Sequence, residues 1–174
     1  MEYEFTLKYR LAEQDCDLEA IVERLGEAGC DDATVGIGQP GRIALFFTRE
    51  SASAFDALIS ALTEVKEAVP SARLVEAGPD FVGLTDVAEV AGVSRQNMRK
   101  LMLSHAKDFP APVHEGSASV WHLSDILDWL NARGGYEIDA GVFDVAKSAK
   151  QINLAKGIRE LDARLNRQLQ FLVA

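Results

Sequence analysis

The sequence predicts an α+β protein in three parts: an N-terminal β-α-β-β-α-β unit, a central helix pair with a β-hairpin wing, and a long C-terminal helix. Three observations carry this. Residues 3–9 alternate apolar and polar, Gly92 and Ser94 stand between two short helical patterns, and leucines recur every three or four residues towards the end.

In the first strand Tyr3, Phe5, Leu7 and Tyr9 share one face at period two. Leu18, Ile21, Val22 and Leu25 then keep helical spacing from about residue 17 to 28, with Asp17 as N-cap and Gly29 at the end. Ala33 to Ile37 and Arg42 to Thr48 read as a hairpin closed by Gly38-Gln39-Pro40-Gly41. A second helix begins at Ser51 or Ser53, carries Phe55, Leu58, Ile59, Leu62 and Val65 on its stripe and stops at Pro70. Ala72 to Glu76 completes the set. This order folds most simply as a four-stranded antiparallel sheet with both helices on one face, a ferredoxin-like plait over residues 1–77.

After the break at Ala77-Gly78-Pro79-Asp80 comes Leu84-Thr85-Asp86-Val87-Ala88-Glu89-Val90-Ala91-Gly92-Val93-Ser94-Arg95. Thr85 caps a first helix, Ala88 is small enough for two helices to cross closely, and Gly92 supplies the positive φ of the turn. Val87, Val93, Met98 and Leu101 make the shared core. Ser94 caps a second helix whose first turns offer Arg95, Gln96, Asn97, Arg99 and Lys100. Phe109-Pro110-Ala111-Pro112 leads into a two-stranded wing, Val113 to Glu115 and Ala118 to His122, turning at Gly116-Ser117. Ser124 then caps a helix with Ile126, Leu127 and Leu130 inward, and Trp121 or Trp129 covers the joint. The unit spans residues 81–135. From about Val142 one helix is predicted over 142–174, with Leu154, Ile158, Leu161, Leu165, Leu169 and Leu172 as its stripe. Its partner is either the body of the same chain or a second copy of the helix. Gly157 within the stripe costs about 1 kcal/mol relative to alanine.

The formal charge of −9 argues against indiscriminate nucleic-acid binding, which depends on cations neutralising phosphates. Residues 1–80 hold 7 basic and 16 acidic side chains, 81–135 hold 5 and 6, and 136–174 hold 6 and 5. Between 94 and 107 there are Arg95, Arg99, Lys100 and Lys107 and no acid. That stretch is a local basic face where a phosphate backbone can dock.

Residues 81–134 resemble the winged helix-turn-helix of MerR, excisionase and AlpA-type DNA-binding proteins, in the helix-turn-helix core quoted above, the Phe-Pro-Ala-Pro entry and the return Val120-Trp121-His122-Leu123-Ser124-Asp125-Ile126-Leu127-Asp128-Trp129-Leu130. The resemblance implies double-stranded DNA binding, commonly as a dimer on a paired site. Arg95, Gln96 and Arg99 are the expected base or phosphate contacts, Lys100 and Lys107 the phosphate anchors, and Ser94 and Asn97 further candidates. The wing offers Glu115, Ser117 and Ser119 with His114 where the family carries Arg or Lys, so contact through Ser117 or backbone amides is expected there.

Other chemistry has weaker footing. Gly36 to Gly41 spells GxGxxG, but a strand follows where a dinucleotide loop needs a helix. His105, His114 and His122 lack metal-ligand spacing to Cys or carboxylates, and Asp15, Asp17, Asp31 and Asp32 lack a calcium-loop pattern. No activated nucleophile is evident, so neither catalysis, cofactor nor metal is expected. Cys16 and Cys30 read as reduced, half-buried thiols. No apolar run reaches a membrane span and the start lacks a signal peptide's basic flank, so the expected place is the cytoplasm, on the nucleoid when bound to DNA, with no membrane partner. The reading is a homodimeric transcriptional regulator whose acidic front receives a protein or small-molecule signal. The alternative is an adaptor or antitoxin-like partner in which DNA binding is secondary or absent.

Overall fold

The computed structural model describes residues 1–15, 17–169 and 172. It is a mixed α+β protein with a four-stranded antiparallel sheet and, among the described residues, seven helices. The thiol reading for Cys16 lies outside them.

The first half runs β1 (Glu2–Arg10), α1 (Leu18–Glu27), β2 (Ala33–Ile37), β3 (Arg42–Glu50), α2 (Ala54–Ala68) and β4 (Arg73–Gly78), with the strands ordered β2-β3-β1-β4. The alternation in β1 does what it predicts: Tyr3, Phe5, Leu7 and Tyr9 are buried, opposite Arg49, Phe47, Leu45 and Ile43 of β3, and Phe5 stacks on Phe47 at 5.0 Å. Asp17 caps α1 by accepting from the Ala20 N–H at 3.1 Å, and Ser53 caps α2 by accepting from Asp56 at 3.1 Å. The stripe of α2 is shifted from the expected one. Ala54, Ala57, Leu58, Ala61, Val65 and Ala68 face the core, whereas Phe55 and Ile59 are exposed, because small residues let the helix lie close to the sheet. Likewise Val22 is exposed while Ile21 and Leu25 are buried.

One charged side chain enters this core region. Arg49 is buried between Asp32, which it grips with two hydrogen bonds at 2.7 and 2.9 Å, and Glu64 at 2.6 Å, and it also donates to Ser60. The bonds to Asp32 hold the guanidinium pKa above its ordinary value. Cys30 is a free, buried thiol beside Glu64, pushed up to about 12 by burial and then by that carboxylate.

The second half comprises β5 (Phe81–Val82), α3 (Leu84–Val90), α4 (Arg95–Ser104), β6 (Trp121–His122), α5 (Leu123–Arg133), α6 (Ala140–Arg159) and α7 (Ala163–Leu169). Buried side chains form two clusters, one under the four-stranded sheet and one among α3, α4 and α5. α6 serves both: Val145 and Ala149 belong to the first, Ala146 to the second.

The helix predicted over 142–174 is therefore corrected in two respects. It starts at Ala140, capped by Asp139, and it ends at Arg159; Asp162 then accepts from the Arg164 and Leu165 N–H groups, an N-cap that starts a separate α7. Its inward face is Gly141, Val145, Ala146, Ala149 and Asn153 rather than the leucine stripe. Leu154 and Ile158 lie on the opposite side, exposed, as are Leu161, Leu165 and Leu172. Leu169 closes α7, half-buried.

A polar knot locks α6 to the rest. Asn153 donates to the Ala77 carbonyl at 2.8 Å and accepts from the Ala77 N–H at 2.9 Å, thereby capturing the last strand of the sheet. It also donates to Asp80 Oδ2 at 2.7 Å, while Asp80 Oδ1 lies 2.6 Å from His122 Nδ1 and the Asp80 carbonyl accepts from Leu123 N–H at 2.7 Å. Asp80 is wholly buried. Among the described residues no helix is long and apolar enough to cross a membrane.

Replacing Asn153 by Leu strips partners from Asp80 and from both Ala77 backbone groups at once, and should cost about 2–4 kcal/mol. Urea unfolding checks this. The exposed neighbour variant Gln151→Ala should stay within about 0.5 kcal/mol of wild type.

Candidate nucleic-acid interface

Helix α4, which carries the basic face, crosses α3 through Val87 and Ala88 of α3 and Met98 of α4, all buried, with Val93 and Leu101 packed against them. Between them Gly92 adopts φ +64°, the left-handed turn its position demands, and the Val93 N–H returns to the Ala88 carbonyl at 2.9 Å. Ser94 caps α4 by accepting from the Asn97 N–H at 3.2 Å.

The start of α3 differs from expectation. Gly83, not Thr85, is the N-cap, and Asp86 Oδ2 accepts from the Gly83 N–H at 2.7 Å. The reason is β5: Phe81 and Val82 pair with His122 and Trp121, which brings the chain into the helix early. The same pairing moves the start of α5, whose N-cap is His122 while Ser124 is buried inside the helix.

Ser94, Arg95, Gln96, Asn97, Arg99 and Lys100 are all exposed, and so is Lys107 in the turn after the helix. Helical geometry sorts them. With Met98 as the buried pole, Gln96, Arg99 and Lys100 centre on the outward face, and Arg95 and Asn97 stand on opposite flanks. Asn97 and Lys100 border a cleft of about 310 Å³ that Tyr136 closes from the other side. Leu103, exposed on the same outward face, is a member that the residue types alone did not suggest. Among the described residues none of Arg95, Arg99, Lys100 or Lys107 is in an ion pair, so the charges face solvent unneutralised.

Behind α4 an aromatic buttress fixes its far end. Phe109 meets Trp129 edge-on at 5.1 Å and Trp121 at 6.2 Å, the Trp121 indole donates to the Pro110 carbonyl at 3.0 Å, and Arg133 lies over the Trp129 ring. Ile126, Leu127 and Leu130 of α5 are buried beneath, as their spacing predicts.

The expected two-stranded wing is reduced. His114 and Val120 form a single bridge, and Trp121–His122 pairs with Phe81–Val82 instead of with residues 113–115. Ser117 sits exposed in the loop between the bridged residues, apart from the α4 cluster in sequence and element. His122, which has no metal-ligand spacing in the sequence, is bonded to Asp80, a pairing 42 residues apart that no local pattern signals.

No protein-family model, curated protein or solved structure matches the chain.

The turn at Gly92 supports a direct check. A Cβ there meets no heavy atom within 4 Å, so Gly92→Ala should lose only the backbone preference, about 1 kcal/mol in chemical denaturation. Gly92→Val, β-branched at positive φ, should cost more.

Proposed function

We propose that this chain is a sequence-specific, double-stranded-DNA-binding regulator of transcription that acts as a homodimer and carries out no catalysis. We read residues 1–77 as a ferredoxin-like plait, 81–135 as a winged helix-turn-helix, and the region from 142 onward as the source of the dimer. The observation that carries the reading is α4 itself. It is a rigidly seated helix about 15 Å long whose outward side holds only cations, hydrogen-bonding side chains and Leu103, in a body whose net charge is −9.

A major groove about 12 Å wide admits such a helix. Arg95 and Arg99 suit guanine or phosphate, Gln96 and Asn97 suit adenine, and Leu103 offers an apolar contact for a thymine methyl. Lys100 and Lys107 suit phosphates on either side, and Ser94 and Ser117 would add hydroxyl or amide contacts. The acidic excess of residues 1–80 would disfavour a duplex approaching that segment as a whole, which favours docking through α4.

Two apolar side chains, Leu154 and Ile158, face solvent on the side of α6 away from the body, and exposed Leu161 and Leu165 follow them. Such a face supports pairing with a second copy, which would present two α4 helices to a paired site. The same face would also seat a foreign helix, which favours the adaptor reading as the alternative.

For the double variant Arg95→Ala, Arg99→Ala, the slope of log affinity against log salt should fall by about 0.9 for each phosphate no longer neutralised. Fluorescence anisotropy on sites selected from a random duplex pool measures it. Equal retention of DNA by wild type and variant at every salt concentration would overturn the assignment of α4. Separately, the pair Leu154→Asp, Ile158→Asp should convert a dimer to a monomer in analytical ultracentrifugation with the far-ultraviolet spectrum intact. Point changes are required because truncation before α6 would also remove Val145, Ala146, Ala149 and Asn153 from the two cores. A variant that stays dimeric rules out this face.

A further inference from the structure

A concavity that shares no residue with α4 lies where α2, β4 and the last turns of α6 converge. It is a groove of about 650 Å³, within the range that holds a drug-sized molecule. Its floor is apolar, made by Leu62 and Val65 of α2, Leu74 of β4 and Ile152 of α6. Its rim is cationic. Lys66, Arg73, Lys156 and Arg159 border it, with Glu160 the single acid.

That grouping runs against the composition. Residues 1–80 contain 7 basic side chains against 16 acidic ones, yet the two that reach this groove from that segment, Lys66 and Arg73, meet two more from α6. Lys66 and Lys156 are steadied by donating to the Pro70 and Val75 carbonyls at the rim. Arg73 and Arg159 are exposed and in no ion pair among the described residues. Tyr9 also lines the groove, and its hydroxyl is the one buried side-chain polar atom without a hydrogen-bond partner among the described residues. Burial raises its pKa, which keeps it a neutral donor.

We propose that this groove is a binding site for a small amphipathic anion, its apolar body against Leu62 and Ile152 and its anionic head held by Arg73 and Arg159. Apolar lining selects for hydrocarbon or ring surface, and the rim selects the sign of the head group. The site stands whether or not α4 binds DNA, since it shares no residue with that face.

The test uses the full chain and dodecanoate, below its micelle concentration, followed by calorimetry and amide chemical-shift mapping. Dodecanoate should bind one per chain, with shifts at Leu62, Arg73, Ala155 and Arg159. Dodecyltrimethylammonium, of opposite charge and equal length, should bind about tenfold more weakly or not at all. Arg73→Glu with Arg159→Glu should weaken dodecanoate by about tenfold or more. If that variant fails to fold, Ala155→Trp, placed on an exposed lining position, should abolish binding by filling the groove. Equal affinity for the two probes, no saturable binding, shifts centred on Leu154 and Ile158, or unchanged affinity in the folded variants would each overturn the proposal.

Discussion

The arrangement of this protein turns on one buried carboxyl group. Asp80 leaves water completely, a loss tolerated in a protein interior only when every oxygen finds a donor. Its two carboxyl oxygens meet His122 and Asn153, and its carbonyl takes the Leu123 N–H. Those partners come from the start of α5 and the later half of α6, while Asp80 itself ends the segment leaving β4. Three stretches distant in sequence are thereby fixed to one point. Remove the Asp80 carboxyl group and Asn153 would keep its two bonds to Ala77 of β4, but α6 would lose its polar link to His122 at the start of α5. The short connection at 77–80, which in isolation reads as a break between units, is the place where they are joined.

Charge is managed by the same principle of full partnership. Arg49 is the only cation buried with the sheet core among the described residues, and it is met by two carboxylates, a hydroxyl and a carbonyl. Breaking a pair so enclosed strands the remaining charges. By contrast, Arg95, Arg99 and Lys100 of α4 and Arg73 and Arg159 at the groove are exposed and, among the described residues, in no ion pair. In a chain with so many acids, cations kept out of ion pairs in two separate places would serve the two anion-directed surfaces proposed above.

Much of the fold was legible because its signals are local. The period of β1, the caps Asp17, Ser53 and Ser94, the turn at Gly92 and the stripe of α5 each depend on neighbours within a few residues. The misreadings share a cause in long-range pairing. Thr85 and Ser124 have the chemistry of caps, but the β5–β6 pairing starts both helices earlier. Phe55 and Ile59 have the spacing of a core stripe, but the alanines of α2 let the backbone approach the sheet and turn the larger side chains outward. The polar face of the site was readable from residue types and the cap before them. The Asp80 knot was not, since Asn153 and His122 look ordinary until the chain brings them together.

The leucine pattern of the C-terminal region left its partner open between the body of the chain and a second copy of the helix. The stripe itself does not pack into the chain. α6 instead turns Gly141, Ala146 and Ala149 inward, where small side chains allow close approach to two cores, and leaves Leu154 and Ile158 on the far side. Intramolecular packing and an outward apolar stripe are therefore compatible on one helix. Because Asn153 holds that helix at a fixed rotation, the direction in which the stripe points is set by the same side chain that ties α6 to β4 and, through Asp80, to the start of α5. On the proposed reading, the spacing of two α4 helices in a dimer would then follow from the Asp80 knot rather than from a flexible tether.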